Sequence, residues 1–330
     1  MVRVAINGFG RIGRRVFRLL LEHPSIEVVV INDLADIKTL AHLTKYDSIH
    51  GTLNKVISCD SSHISIENTK IPVLNKAHPS DLNWKPFNVD VVIESTGKFK
   101  EKSTLIHHIN NGASKVILSV PPSDEDIKTI VLGVNDTLLQ KEDLIISNAS
   151  CTTNNAAPML SIINKLCGIN QAYITTVHSY TTDQSLHDQP HQDLRRARAA
   201  GQSIVPTTTG AAKALTKIFP EFANNIGGCG IRVPVINGSL TDITFNVKKE
   251  TSVEAINMAF KEASKLSFKG ILQYTEDPIV SIDIVGNTHS CIYDAQMTSV
   301  IGNMVKIIGW YDNETGYSSR IIDLISKISN

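Results

Sequence analysis

The 330-residue chain has no excess of charge of either sign: 32 lysines and arginines face 32 aspartates and glutamates. That balance excludes the strongly basic surface of a protein whose main partner is nucleic acid or an anionic membrane, and leaves only local anion sites to argue residue by residue. Aromatics are scarce at 5%, and no basic stripe is interleaved with them, so an RNA-contacting role has no support here. Long apolar runs are missing too. EVVVI at 27–31 is far too short to cross a bilayer. The five cysteines (59, 151, 167, 229, 291) are odd in number and irregular in spacing. With no CxxC pair and no Cys/His zinc spacing, a disulfide framework and a structural zinc site are excluded, and a reducing cytoplasm is the expected compartment. MVRVAINGFG enters a strand and a glycine turn without a signal-peptide pattern, which agrees.

What is present suffices for folded cores. Hydrophobic residues make up 42% and charged residues 19%, and the length predicts two domains. The first part reads as alternating strands and helices. VRVAIN (2–7) is a buried strand, Ile12, Val16, Leu19 and Leu20 fall at helical spacing, EVVVIND (27–33) is a second strand, and DIKTLAHLTKYD is helical again. This is a βαβ unit. Strands follow at 70–75, 89–95, 114–120 and 144–148, with a helix closed by Gly112 between the middle two. The spacing then predicts a long helix over roughly 151–167, strands at 172–180, 232–238, 240–247, 280–285 and 303–311, and helices at 253–265 and 314–328. Gly302-Asn303 marks a hairpin. The expected fold is α/β: a Rossmann doubly wound sheet, then an α+β domain with a mostly antiparallel sheet. The stretch 181–203 is polar and without period, a long loop of the kind that is usually functional.

Gly8, Gly10 and Gly13 form G-x-G-x-x-G between a strand and a helix, and Asp33 ends the next strand. In that context the glycines allow the tight turn, the backbone approach to a pyrophosphate and close helix–strand packing. The helix N-terminus offers N–H donors to the phosphates. Asp33 accepts from ribose hydroxyls and repels a 2′-phosphate, so NAD is expected over NADP. The alternative is a turn without ligand, with Asp33 as a cap.

SNASCTTNN (147–155) gathers small hydroxyl and thiol groups at a predicted helix start. Ser150 reads as the N-cap, and a thiol at a helix N-terminus is expected to ionise more readily than usual. Cys151 is therefore the candidate nucleophile, and the other four cysteines are read as structural. His178 ends a strand at the start of the long loop and is either its base or a packed strand residue. His107, His108, His187 and His191 read as solvated. The pattern places Arg232 at the head of a strand, after a flexible GGCG. Thr181 and Asp183, the arginines of RRAR (195–198), and PTTTGAAKAL (206–215) supply two phosphate-sized anion sites.

INGFGRIGR (6–14), SNASCTTN (147–154), TTVHSYT (175–181), DLRRARAA (193–200), PTTTGAAKA (206–214) and WYDNETGYS (310–318) together resemble the phosphorylating glyceraldehyde-3-phosphate dehydrogenase family, collinearly from residue 2 to about 328. The resemblance implies a domain at 1–149 that binds NAD, a catalytic domain at 150–313, and a C-terminal helix (314–330) that packs back onto the first. It implies that Cys151 forms a thiohemiacetal and then a thioester, which inorganic phosphate cleaves. His178 would serve as base and oxyanion partner, with the backbone N–H of Cys151 completing the oxyanion hole. It places the substrate phosphate near Thr181, Asp183 and Arg232, and the attacking phosphate near Ser150, Thr152, Thr209 and Gly210, with Arg195 close by. Arg11, Ile12, Asp33, Ser119, Asn313 and Tyr317 would hold the cofactor. The assembly would be a cytoplasmic homotetramer without metal, membrane or nucleic acid. Asn155 stands where relatives often have a second cysteine, Ala77 where an arginine often meets the adenine, and Gln189 where leucine is common. Leu34 and Pro190 fit the NAD pattern. The rival within this resemblance is a relative that acts on erythrose 4-phosphate and hydrolyses its thioester.

Overall fold

A computed structural model describes residues 1–329. The chain divides into two compact units: Met1–Ile130 with Thr137–Ala149 and the stretch from Ser318, and Val131–Asp136 with Ser150–Tyr317.

The first unit contains β1 (Val2–Asn7), α1 (Arg11–Leu20), β2 (Ile26–Asn32), α2 (Ile37–Lys45), β3 (Ile57–Cys59), β4 (His63–Ile66), β5 (Thr69–Leu74), β6 (Val91–Glu94), α3 (Lys102–Asn110), β7 (Lys115–Leu118), β8 (Lys128–Thr129) and β9 (Ile145–Ser147). The strands run β3-β4-β5-β2-β1-β6-β7-β9-β8, parallel from β5 onward. Strand order reverses beside β1. That switch point leaves a crevice at the carboxyl ends of β1, β2 and β6, which is where open α/β sheets take ligands. The strand expected at 70–75 is β5; the short strands β3 and β4 that extend it as an antiparallel edge were not evident in a polar stretch of sequence.

The second unit contains α4 (Cys151–Cys167), β10 (Ile169–Ser179), β11 (Val205–Thr207), α5 (Ala211–Ile218), β12 (Ile226–Val233), β13 (Ser239–Val247), α6 (Val253–Lys265), β14 (Leu272–Thr275), β15 (Cys291–Ile301) and β16 (Met304–Tyr311); α7 (Thr315–Ser329) ends the chain. Its sheet runs β11-β12-β10-β13-β16-β15-β14, antiparallel except for β10/β12 and β14/β15. Ile243, Phe245 and Val247 of β13 are fully buried at alternate positions, the period-two face of a half-covered sheet. α4 packs on that sheet between α5 and α6.

Two sequence expectations fail here. VSIDIV (280–285) is not a strand. Its N–H groups close local turns, Asp283 to Val280 and Val285 to Ile282, and the Asp283 carboxylate caps Val280; alternation alone does not distinguish such a turn from a strand. The strand at 232–238 instead covers Ile226–Val233, so GGCG lies inside it and Arg232 near its end. The glycines are there for space. A Cβ at Gly228 would meet Ile174 O at 2.8 Å, and one at Gly227 the Tyr173 ring at 3.1 Å.

Candidate active site

The glycine turn of the first unit has the geometry a dinucleotide needs. Gly8 has φ +94°, and a Cβ there would sit 2.5 Å from Thr96 N; a Cβ at Gly13 would sit 2.2 Å from Gly8 O, while Gly10 faces open space. The two crowded positions permit the turn and the helix contact, and the open one admits a ligand. A cavity of about 240 Å³ lies against Gly8, Gly10, Asp33, Leu34 and Ala77. Lys76 and Lys98 line the same cavity, so cationic side chains are present although Ala77 has none. Asp33 Oδ2 accepts the Phe9 N–H at 2.7 Å and Oδ1 the Ala35 N–H at 2.9 Å, which ties the end of β2 to the glycine turn. Arg11 pairs with Asp47 at 2.9 Å, so its guanidinium is engaged and its backbone is what lies at the turn. Ile12 is half-buried on α1. Ser119 is buried, its N–H given to Glu94 O at 3.0 Å. These residues fit NAD.

Under that turn lies a polar core the sequence reading missed. His108 is fully buried, not solvated: its Nε2 is 3.1 Å from Glu94 Oε2, and Trp84 Nε1 donates to its Nδ1 at 3.1 Å. Trp84 as donor leaves the ring proton on Nε2. Glu94 also accepts from Asn7 Nδ2 and from the N–H and hydroxyl of Thr96. The carboxylate is thereby saturated, as a buried anion requires.

The reactive groups gather in the second unit. Ser150 has extended φ/ψ, and its Oγ accepts the Thr153 N–H at 3.1 Å, the N-cap that starts α4 at Cys151. Parallel register sets His178 of β10 beside Arg232 of β12. His178 Nε2 lies 3.5 Å from Cys151 Sγ. Its Nδ1 lies 2.7 Å from Ser179 O and 2.7 Å from Arg232 Nη1, and Arg232 Nη1 donates to Ser179 O at 2.9 Å. Burial and then the Arg232 charge push the His178 imidazole down to about 3. Burial pushes the Cys151 thiol up, against the Arg232 charge and the N–H groups at the helix start. The expected depression of the thiol is therefore reversed: desolvation outweighs the helix end.

The oxyanion residues are more engaged than the sequence implied. Thr152 Oγ1 is 2.8 Å from Tyr311 Oη, inside the core, so its backbone N–H, not its hydroxyl, is on offer. The Ser150 hydroxyl is committed to Thr153. Thr209 Oγ1 accepts the Ala211 N–H at 3.2 Å and, with Gly210, caps α5. Arg195 is exposed; its neighbour Arg196 is half-buried, on Asp183 at 2.8 Å and Thr207 at 2.7 and 2.9 Å. Sequence alone had no means of choosing between adjacent arginines. Thr181 is held by Gln184, whose Nε2 also reaches Asp183 at 3.1 Å. Asn313 Oδ1 accepts from Ser179 Oγ, Ser239 Oγ and Gly238 N–H at 2.9, 3.1 and 3.3 Å, which fixes the orientation of its amide. Tyr317 is buried in the first turn of α7. Asn155 donates to Ser290 O and Trp310 O at 3.3 and 3.2 Å, a clamp between strand ends that a cysteine would not make. Among the described residues no group of His, Cys, Asp and Glu is arranged to hold a metal, and no helix is long and apolar enough to cross a membrane.

Residues 2–102 match the family model for the NAD binding domain of glyceraldehyde 3-phosphate dehydrogenase, and residues 150–313 match that for its C-terminal domain. The glyceraldehyde-3-phosphate dehydrogenase of Geobacillus stearothermophilus is 50% identical, over 100% of this chain and 98% of its own length. Glyceraldehyde-3-phosphate dehydrogenase 1 of Bacillus cereus is 49% identical, over 100% of this chain and 99% of its own. That of Borreliella burgdorferi is 50% identical, over 99% of each. With both family models matched and identity near one half along the whole chain, the protein belongs to the glyceraldehyde 3-phosphate dehydrogenase family.

Proposed function

We propose that the protein converts D-glyceraldehyde 3-phosphate, inorganic phosphate and NAD to 1,3-bisphosphoglycerate and NADH, as a step of glycolysis or gluconeogenesis. The observation that carries this reading is the 3.5 Å approach of Cys151 Sγ to His178 Nε2 at the start of a capped helix, in a chain of this family.

The thiol proton passes to His178 as sulfur attacks the aldehyde carbon, and the resulting oxyanion is held by the imidazolium and by the N–H of Cys151. NAD, when bound, would supply the hydride acceptor for oxidation of the thiohemiacetal to the thioester. His178 takes the hydroxyl proton in that oxidation. Phosphate then attacks the acyl carbon, the C–S bond breaks, and the acyl phosphate leaves. Arg232 and Thr181 would hold the substrate phosphate, near Asp183, whose carboxylate is paired with Arg196. The backbone at Ser150, Thr152, Thr209 and Gly210 receives the attacking one, with Arg195 supplying charge. Asp33 would hold the adenosine ribose, Arg11, Ile12 and Ser119 would hold the cofactor beside the glycine turn, and Asn313, its Oδ1 already committed, would offer its amide N–H to the nicotinamide, with Tyr317 beside it.

The active form is a cytoplasmic homotetramer. Leu186, Leu194 and Ile204 in and beside the long loop are 76%, 82% and 68% exposed in the single chain, apolar side chains that a neighbouring protomer would cover.

NADH formation with and without phosphate or arsenate tests the reaction. Turnover that needs the anion is expected; anion-independent turnover, or turnover confined to erythrose 4-phosphate, would move the assignment to the hydrolytic relative. Cys151→Ser is expected to abolish turnover while NAD binding persists, because a serine hydroxyl is far less ionised than a thiol. Residual turnover above about a thousandth of wild type would remove the covalent mechanism.

A further inference from the structure

Four groups of fixed hydrogen-bonding polarity surround the Glu94 carboxylate at the end of β6, and each presents it with a donor. The first is the Lys76 peptide: its N–H donates to Asn32 Oδ1 at 2.9 Å and its carbonyl accepts from Asn32 Nδ2 at 3.0 Å. That fixes the Asn32 amide, which also donates to Asn7 Oδ1 at 2.7 Å. Asn7 Nδ2 is thereby turned onto Glu94 Oε2. The second is the Trp84 indole, which makes His108 Nδ1 an acceptor and its Nε2–H a donor to the same oxygen. The third is the Thr96 N–H, on Oε1 at 3.0 Å. The fourth is the Lys98 N–H, which donates to Thr96 Oγ1 at 3.2 Å and leaves the hydrogen of that hydroxyl for Oε1. Only a carboxylate accepts at both oxygens from all of them.

We propose that Glu94 is a positioning residue for NAD: one buried acceptor fixes the orientation of the groups that form the cofactor cavity. The proposal rests on NAD as the cofactor. Asn7, Asn32, Lys76, Thr96 and Lys98 all line that cavity, so two of the hydrogen-bonded runs that end on Glu94 begin in its wall. Glu94 is fully buried and acts through them. The glycine turn is held in the same way. Ser95 Oγ donates to Gly8 O at 2.6 Å, and the Thr96 peptide packs so closely on Gly8 that a Cβ there would lie 2.5 Å from Thr96 N.

Glu94→Gln puts an NH2 at one of the two accepting positions. In place of Oε2 it meets the donors of Asn7 and His108. Asn7 then has to rotate its amide to accept, which turns its Nδ2 onto Asn32 Nδ2. Asn32 has to rotate in turn. Its Oδ1 then faces the Lys76 carbonyl and its Nδ2 the Lys76 N–H, two like pairs that no further rotation removes. In place of Oε1 the NH2 meets the Thr96 N–H, and the backbone packed on Gly8 has to move. Either way the mismatch is passed to the cavity wall. Loss of His108 is different. It leaves the Trp84 N–H without an acceptor, while Glu94 still accepts from Asn7 and Thr96, so the damage stays on the α3 side of the network.

The test compares NAD binding by calorimetry, beside thermal denaturation, in wild type, Glu94→Gln and His108→Leu. Both variants leave buried donors unpaired, and both should melt at lower temperature. The dissociation constant for NAD should rise on the order of tenfold in Glu94→Gln and stay within about twofold of wild type in His108→Leu. The kcat at saturating NAD should hold in both. An affinity that holds in Glu94→Gln, or that falls alike in the two variants in step with their stability, would make the network a feature of the core alone and overturn the proposal. If Glu94→Gln does not fold, Asn32→Ala takes its place, since it cuts the same run at the end away from the carboxylate. Weaker NAD binding in that variant supports the assignment and unchanged binding overturns it. Wild type that binds NAD without oxidising glyceraldehyde 3-phosphate would instead strike the assigned reaction, and the binding comparison would still answer for Glu94.

Discussion

Thr152 and Thr176 share one hydrogen-bond partner: their hydroxyls lie 2.8 and 2.9 Å from the buried Tyr311 Oη. Thr152 follows Cys151 on α4, and Thr176 lies on β10 two residues before His178. One phenol therefore ties the helix that carries the thiol to the strand that carries the imidazole. Its ring also meets the His178 ring edge-on, with centroids 5.9 Å apart. Tyr311 thereby positions the pair.

Tyr311→Phe keeps the ring and removes the tether. Two buried hydroxyls lose their partner, for a cost of about 1–3 kcal/mol in stability. Loosening of the Cys151–His178 geometry should lower kcat by roughly tenfold or more, since small misplacements of reacting groups carry large rate penalties. KM for NAD should hold. Steady-state kinetics beside thermal denaturation would separate the effects: an unchanged kcat in a destabilised variant makes Tyr311 a core residue only.

The depressed imidazole of His178 predicts an acid-side loss of stability. Its ordinary value is 6.5, and in the folded protein it is pushed to about 3, by burial first and the Arg232 charge second. As pH falls below 6.5 the unfolded chain binds this proton before the folded one does, so the native state loses stability from there down to about 3. The contribution is present in full above the unfolded value. The loss is about 1.4 kcal/mol per pH unit at most, or roughly 2 kcal/mol by pH 5. His178→Gln should flatten that part of the profile. Equal pH dependence of unfolding in wild type and variant between pH 7 and 5 would show that His178 is not held neutral by the fold.

The sequence made the frame of the site legible wherever local rules and chemistry agree. Gly8 and Gly13 had to be glycine for reasons the backbone confirms, and Ser150 caps α4 as its position implies. What it hid depends on partners distant along the chain. His108 reads as surface beside His107, and only the fold brings Glu94 and Trp84 to it. Arg195 and Arg196 are equivalent in sequence until β11 presents Thr207 to one of them. The thiol shows the limit of a local rule: a helix N-terminus favours thiolate, yet burial, which sequence does not report, reverses the direction.

Asp33 allows a cofactor test in which charge and structure separate. Its carboxylate holds the Phe9 and Ala35 N–H groups at the same time as it lines the cavity beside Gly8 and Gly10. Asp33→Ala removes both functions. It should relax the preference for NAD over NADP, by roughly ten- to a hundredfold in the ratio of kcat/KM, as expected when a like-charge clash of about 1.4–2.8 kcal/mol is relieved. It should also lower the melting temperature, because two backbone donors at the glycine turn lose their acceptor. Asp33→Asn keeps an acceptor oxygen and discards the charge. That variant should gain NADP activity while retaining most of the stability, and Lys76 and Lys98 along the same cavity would then attract the 2′-phosphate without opposition. If both variants discriminate against NADP as wild type does, Asp33 serves the turn alone and the selectivity resides elsewhere in the cavity wall.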